Sequence, residues 1–421
     1  MLIETTADYV LAVVVHHIGC DGWSMRILDR DLAQAYDARV HGRAPRWGRP
    51  AVQMADVAHW QLGCARDSRR MAEGLGFWRE ALAGLDSGTP QLPRGGCGQA
   101  GRVSFALDRR MHSMLVALAQ RCGTTTFVVL HSAVALLLHE LGAGDRFTIG
   151  ATVALRDRSE LTDVFGLLVN TVALPSGVDL ERSFAELVTR THANDVEALQ
   201  HSNVEFDAVV EALNPERRPD RTPWIDVLIT MGVGDKDFVS DYGAHGASGA
   251  TLLLPGLPVT GQYPTPMPTA RFPLTFAVTE RFEGESPAGL LGALEYSDRV
   301  GGLQGERLVE RLEWLLAQVL SRPDTPLRTI DPLLTDEPKA LVGAPGTAPR
   351  TVARLWSDRV DADPRALALK VGEGRWTRAE LDVRARRWAA LLRTRGVGVQ
   401  DVVACALPRG LDYVEIGRAH V

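Results

Sequence analysis

The chain has 421 residues, enough for roughly two to four domains. Apolar residues make up 45% and charged residues 23%, the proportions of an ordinary globular protein. The net charge of -6 argues against a basic face for nucleic acid.

Residues 11–15 are continuously apolar and rich in β-branched side chains, and read as a strand buried on both faces. That run leads into His16-His17-Ile18-Gly19-Cys20-Asp21-Gly22-Trp23-Ser24, where Gly19 and Gly22 mark a turn. A helix is predicted over 25–40, with Ile27, Leu28, Leu32, Ala35 and Tyr36 on one stripe. Residues 43–50 read as a loop, and 53–61 and 77–82 as short helices. Residues 87–101, rich in Gly and Pro, read as a connector between two lobes.

From Arg102 strands and helices alternate. Strands are predicted over 103–107, 147–153, 224–231, 272–279 and 289–296. Helices are predicted over 109–121, 127–141, 183–200 and 304–320. Ser183 and Glu186 have the spacing of a capping box. Residues 322–349 hold six prolines and read as an interdomain linker. Beyond it a third pattern opens: helix 352–360, strand 367–371, helix 378–395 with a capping box at Thr377 and Glu380, and strand 402–407. The expected class is mixed α/β (α+β).

Five cysteines with no C-x-x-C pair argue against a disulfide framework or a structural zinc site and fit a reducing cytoplasm. The apolar run near the N-terminus is too short for a membrane span and follows no positive charge, so neither signal peptide nor transmembrane helix is expected. Only three of the 46 cations are lysine, which points to GC-rich, bacterial coding. Both ends look cut. The first lobe offers a single strand with no sheet, and residues 415–421 read as the translation of a sequencing adapter.

The histidine segment is the strongest chemical signal. Adjacent residues at a strand end point to opposite faces, so one histidine faces a cleft and the other packs into the fold. An imidazole is the natural general base for an amine or hydroxyl nucleophile. The competing reading makes both histidines strand-end residues packed by Trp23, with Asp21 a turn residue. A metal site is disfavoured because the two imidazoles diverge and no third ligand is evident.

The segment resembles the H-H-x-x-x-D-G-W-S signature of condensation domains in nonribosomal peptide synthetases. The match continues in family order. Residues 50–61 are similar to P-x-Q-Y-A-D-Y-A-x-W-Q, 164–171 to V-G-F-F-V-N-T, 201–207 to H-Q-D-V-P-F-E, 217–224 to R-x-x-S-R-x-P-L/F, and 294–297 to the late L-E-Y strand. The resemblance spans about residues 11–334. Residues 352–409 resemble the start of an adenylation domain, with Arg375-Trp376-Thr377-Arg378-Ala379-Glu380-Leu381 where L-T-Y-A-E-L is usual.

The resemblance implies a two-lobed fold of chloramphenicol-acetyltransferase type. Residues 1–86 would be the remainder of the first lobe, 87–101 the connector and 102–334 the second lobe. Residues 335–350 would be the linker, and 351–414 the start of the adenylation domain. It implies amide formation between an acyl or peptidyl thioester on an upstream carrier domain and an aminoacyl amine on a downstream one. His17 would orient or deprotonate the attacking amine or stabilise the tetrahedral intermediate, with Asp21 and Gly22 completing the catalytic motif. Asp21 would pair with Arg156, and Gly22 would bring backbone close to substrate. His16, Trp23 and Ser24 would support the site, and Asn170 would line the tunnel or brace the active-site loop.

No metal and no directly bound cofactor are implied. Phosphopantetheine would arrive on the partner carriers, and ATP with magnesium would concern only the rest of the adenylation domain. Neither nucleic acid nor membrane is an expected partner, and the expected location is the cytoplasm. The rivals are a free-standing acyltransferase of the same superfamily and a noncatalytic module that docks carriers. Departures from the family pattern include Leu155, Leu167, Leu168, Asn203, Glu205 and Pro273.

Overall fold

The computed structural model describes residues 2–4, 9–11, 13–48, 52–65, 68–85, 100–215, 222–233, 254, 270–297, 305–337, 351–398, 401–408 and 410–419. It divides into two units, Met1–Glu337 and Pro338–Val421.

The first unit opens with β1 (Leu2–Glu4) and β2 (Tyr9–Leu11), an antiparallel ribbon. The strand expected over 11–15 is therefore displaced. Residues 13–15 have no strand pairing, and Val14 is 95% exposed, so burial on both faces is not what this run adopts. Strand propensity of a β-branched run reflects packing on a sheet, and among the described residues β1 alone pairs with β2.

Three helices follow: α1 (Gly22–Val40), α2 (Met54–Ala65) and α3 (Ser68–Ala81). The last is much longer than the short helix expected over 77–82. It is tied down by Trp78, whose Nε1 donates to the His201 carbonyl at 3.2 Å, and by Phe77, stacked on the His201 ring at 4.3 Å. Most of the connector expected over 87–101 lies outside the described residues.

The core of this unit is a six-stranded sheet. Its members are β3 (Ala100–Leu107), β4 (Arg146–Ala154), β5 (Val169–Gly177), β6 (Val227–Val233), β7 (Leu274–Glu283) and β8 (Ser286–Ser297). Their order is β3-β8-β7-β6-β4-β5. The β4–β6 and β6–β7 pairs are parallel and the others antiparallel. The β7–β8 hairpin turns at Gly284, where φ is 68° and a Cβ would be strained.

A helical layer packs on this sheet: α4 (Arg109–Arg121), α5 (Thr126–Leu138), α6 (Phe184–Gln200), the short α7 (Phe206–Leu213), and α8 (Gly305–Ser321). Thr125 caps α5, and every residue from Val128 to Leu138 is buried. A helix apolar all round belongs in the middle of a layer, and α5 touches α4, α6 and α8. It ends in a π-helical turn, His139–Ala143, with Gly142 at φ 89°. The stretch Thr126–Ala143 is the one described helix long and apolar enough to cross a membrane, and 61% of it is buried here as a core helix.

The linker expected over 322–349 starts later than its prolines imply. Leu327, Ile330 and Leu334 are buried, and the Asp331 carbonyl accepts from Trp314 Nε1 at 2.9 Å and Gln318 Nε2 at 2.8 Å. Arg311 reaches both the Pro332 carbonyl and Glu337. The segment up to Glu337 is thus fastened along α8, and the prolines serve as turn residues within it.

The second unit comprises α9 (Val352–Ala362), the hairpin β9 (Leu367–Val371) and β10 (Gly374–Thr377), α10 (Arg378–Thr394) and α11 (Leu411–Ala419). The capping box of Thr377 and Glu380 opens α10. No strand forms over 402–407, where Val402 is 96% exposed and no partner strand is present among the described residues. The segment read as an adapter begins inside α11, and its Glu415 is 1% exposed, accepting from Trp388 Nε1 at 3.1 Å and from Arg384.

Candidate functional site

The histidine segment does not end a strand. His16 is extended and exposed, and its Nδ1 accepts from the Ile18 N–H at 3.1 Å as the cap of a single 3₁₀ turn, His17–Gly19. The expectation that one histidine packs into the fold is not met by His16. Strand alternation does not apply, because residues 13–16 pair with no strand and His17 already lies in the 3₁₀ turn.

His17 is half-buried, and its Nδ1 lies 2.7 Å from the Cys20 carbonyl oxygen. A carbonyl only accepts, so Nδ1 carries the proton and the neutral ring keeps its lone pair on Nε2. This is the tautomer a general base needs. Cys20 itself is buried, and burial together with the Asp21 carboxylate pushes its thiol pKa up, which makes it a poor nucleophile.

Asp21 then starts α1. Its Oδ1 accepts from the Ser24 N–H at 2.8 Å and from Ser24 Oγ at 2.7 Å, and Ser24 Oγ faces the Asp21 N–H in return, a reciprocal capping box. Gly22 is the first residue of the helix. Across the fold the Leu168 N–H donates to Asp21 Oδ2 at 3.0 Å. Arg156 Nη2 lies 3.0 Å from Oδ1 and 2.9 Å from Oδ2. Asp21 is 1% exposed and the Arg156 side chain 3%. Burial alone would raise the Asp21 pKa. The Leu168 N–H, the two Ser24 donors and the guanidinium outweigh it and hold the carboxyl below its ordinary value.

Arg156 does more than neutralise Asp21. Its Nη1 donates to the carbonyls of Leu161 at 2.7 Å and Val164 at 2.8 Å, and its Nη2 reaches the Gly166 carbonyl at 3.2 Å. One guanidinium thus folds the 155–168 loop around itself and pins it to the start of α1. Ser24 also meets Gly166, its Oγ lying 2.9 Å from the carbonyl oxygen and accepting from the N–H at 3.0 Å. Trp23 donates from Nε1 to the Thr162 carbonyl at 2.9 Å, and the Arg156 and Arg26 guanidinium carbons sit 5.9 and 5.3 Å from the ring centre. Beneath the loop, Val57 of α2 packs with Leu161, Val164 and Leu168. A Cβ on Gly166 would come within 2.0 Å of the Met54 side chain, which would have to move to admit it.

Asn170, on β5, faces neither histidine. Its Nδ2 donates to the Ser202 and Val204 carbonyls, both at 2.8 Å, and its Oδ1 accepts from the Thr171 and Phe206 N–H groups. It is a buried brace for the 202–206 turn, to which three of these four bonds run. Asn170→Ala should lower stability by about 2–4 kcal/mol by leaving buried backbone groups unpaired, measured by urea denaturation.

Two further clusters were not legible in the sequence. His112 Nε2 lies 3.1 Å from Glu280, and its Nδ1 accepts from the Gly289 N–H at 3.1 Å. His131 lies between Asp195, 2.9 Å from Nδ1, and Ser176, 2.8 Å from Nε2. The second has the connectivity of a hydroxyl, base and orienting acid. All three groups are enclosed among α5, α6 and β5, where no substrate reaches them, so the cluster ties the layer together. Their partners lie 45 to 177 positions away, and no local pattern announces them. His192 meets Thr124 Oγ1 at 2.9 Å. Among the described residues no three His, Cys, Asp or Glu side chains converge as a metal site requires.

Comparison with known proteins places this geometry in context. Residues 1–342 match the Condensation domain family. The chain is 36% identical, over 98% of its length, to the nonribosomal peptide synthetase CymA of Salinispora arenicola, of which it spans 5%. Among solved structures, the complex of the X-domain and OxyB from teicoplanin biosynthesis superposes with a TM-score of 0.65 at 30% identity, covering 76% of this chain and 69% of that one. A holo four-domain nonribosomal peptide synthetase bound to AMP and glycine shares the fold over 91% of this chain and 29% of its own, with a TM-score of 0.64 at 21% identity.

Proposed function

The chain belongs to the condensation-domain family of nonribosomal peptide synthetases, and from that premise we propose that it forms an amide bond between two carrier-bound substrates. An upstream carrier presents an acyl or peptidyl thioester, and a downstream carrier presents an aminoacyl amine. The amine nitrogen attacks the thioester carbonyl. His17 Nε2 takes a proton from that nitrogen, and the tetrahedral intermediate collapses with loss of the upstream thiol, to which the proton returns. Holding both ends in line supplies much of the acceleration.

The observation that carries this reading is the His17 tautomer. The Cys20 carbonyl holds the proton on Nδ1, and four residues on Asp21 is locked to Arg156, so the turn presenting His17 is anchored on its C-terminal side. Phosphopantetheine then enters as the arm of the substrate carriers. The second unit is read as the start of an adenylation domain, supported by the fold shared with a four-domain synthetase across most of the chain. ATP with magnesium would concern only the rest of such a domain, so no step is assigned to this unit.

The test mixes the chain with an acyl-loaded upstream carrier and an aminoacyl-loaded downstream carrier and weighs the downstream carrier by mass spectrometry. A gain equal to the acyl group is expected. Transfer only to a soluble amine or alcohol would mean a free-standing acyltransferase. Carrier binding with no transfer at all would mean a docking module.

A further inference from the structure

The peptide group that joins Cys20 to Asp21 lies between the histidine turn and the start of α1. Its carbonyl oxygen takes the His17 Nδ1–H at 2.7 Å. Its N–H donates to the buried Ser24 Oγ at 3.4 Å. The peptide is planar and trans, so these two groups point in opposite directions from one rigid plate. Holding the N–H on one side therefore fixes where the carbonyl meets the imidazole on the other.

Ser24 is 0% exposed, and its hydroxyl is fully used. The shortest contact, 2.7 Å, is to the charged Asp21 Oδ1, and the single hydroxyl proton belongs there. The two lone pairs then accept the Asp21 N–H and, at 3.0 Å, the Gly166 N–H. The Gly166 carbonyl is met by Arg156 Nη2 at 3.2 Å. A relay results. The imidazole donates to the peptide carbonyl, the peptide N–H to the hydroxyl, and the hydroxyl to the carboxylate. Hydrogen bonds in such a chain polarise and strengthen one another.

The residue type at this position follows the relay more closely than the cap. At α6 and α10 the reciprocal bond of the capping box is made by glutamate. Glu186 accepts from the Ser183 N–H and Glu380 from the Thr377 N–H, both at 2.8 Å. Serine makes the equivalent bond at 3.4 Å. A glutamate in its place would set a second carboxylate against Asp21 and could donate nothing to it. Serine closes the cap less tightly and supplies both a donor to Asp21 and an acceptor for the 155–168 loop.

We propose that Ser24 is a positioning residue for His17. Through the Cys20–Asp21 peptide it keeps the imidazole proton on Nδ1 and the lone pair on Nε2. The assignment rests on the reading of His17 as the base in amide formation.

Nitrogen-15 NMR of the full 421-residue chain, labelled at histidine and held where the ring is neutral, reads the tautomer without turnover. The His17 signals are those missing from His17→Ala. In the unaltered chain they should show a protonated Nδ1 and an unprotonated Nε2. Ser24→Ala should move them toward the mixed tautomers of a free imidazole. It should also lower kcat for amide formation about 10–10²-fold, the range for a misplaced catalytic group, with KM for either loaded carrier unchanged. Ser24→Cys fills the same space with a weak acceptor and should shift the signals the same way. It stands in where the alanine variant does not fold. Asn170→Ala, destabilised elsewhere, should leave the His17 signals where they were. Unmoved His17 signals in folded Ser24→Ala or Ser24→Cys overturn the proposal. So does a tautomer change in Asn170→Ala, since any weakening of the fold would then suffice. A shifted tautomer in the Ser24 variants, with no amide formed by the unaltered chain, upholds the Ser24 contact and ends the proposed reaction. Amide formation by an unaltered chain whose Nε2 carries the proton overturns the Ser24 assignment and leaves that reaction standing.

Discussion

His17→Ala should lower single-turnover amide formation between two loaded carriers by about 10²–10⁴-fold, the usual contribution of a positioned general base, while the thermal midpoint stays where it was. The two halves of this result come from one observation. The ring is half-buried and its Nδ1 contact is to the Cys20 carbonyl next to it in the turn, so truncation leaves no cavity in the core and no buried charge. The same contact sets which nitrogen carries the lone pair, so truncation removes the base. Rate measurement with both carriers preloaded, paired with a melting curve, checks it. An undiminished rate would end the assignment of His17.

Asp21→Asn should behave in the opposite way, losing about 3–5 kcal/mol of stability because Arg156 is left buried without its counter-charge. Arg156 Nε already has no hydrogen-bond partner within the described structure, so the site has little slack to absorb the change. Replacing both residues together, Asp21→Asn with Arg156→Leu, should cost less than the sum of the two single changes, since neither charge is then stranded. Acid titration gives an independent reading. The folded-state pKa of Asp21 lies below its unfolded value. Its stabilising contribution is therefore complete above the ordinary carboxylate range near about 4 and is lost as pH falls through that range toward the folded-state pKa. Urea denaturation at a series of pH values should show a larger loss in the unaltered protein than in Asp21→Asn, where the other carboxylates still titrate.

Features written into neighbouring residues were readable in advance. Ser183 with Glu186 and Thr377 with Glu380 form the capping boxes their spacing implies, and the apolar run of α5 is buried from Val128 to Leu138. The motif segment likewise pointed to a turn at Gly19 followed by a helix. What escaped reading depended on partners far along the chain. β5 was missed because Pro175 sits inside it. The sheet order shows why the proline is tolerated: β5 is an edge strand, where a missing N–H leaves no ladder bond unmade. Residues 11–15 have the composition of a strand, but pairing needs a neighbour that composition does not specify. The buried contacts of His112 and His131 depend on Glu280 and Asp195, and nothing beside either histidine in the sequence indicates them.

The pairing of β3 with β8 has a consequence for how the chain reaches this state. Ala100 lies opposite Ser297 and Leu107 opposite Leu290, a separation of about 190 residues. Contacts this distant raise the contact order and slow folding. During synthesis at about 5–20 residues per second, β3 emerges roughly 10–40 seconds before its partner strand exists. For that interval Val103, Phe105 and Leu107 form an open strand on a nascent polypeptide, and the sheet can close only once the ribosome has passed Ser297.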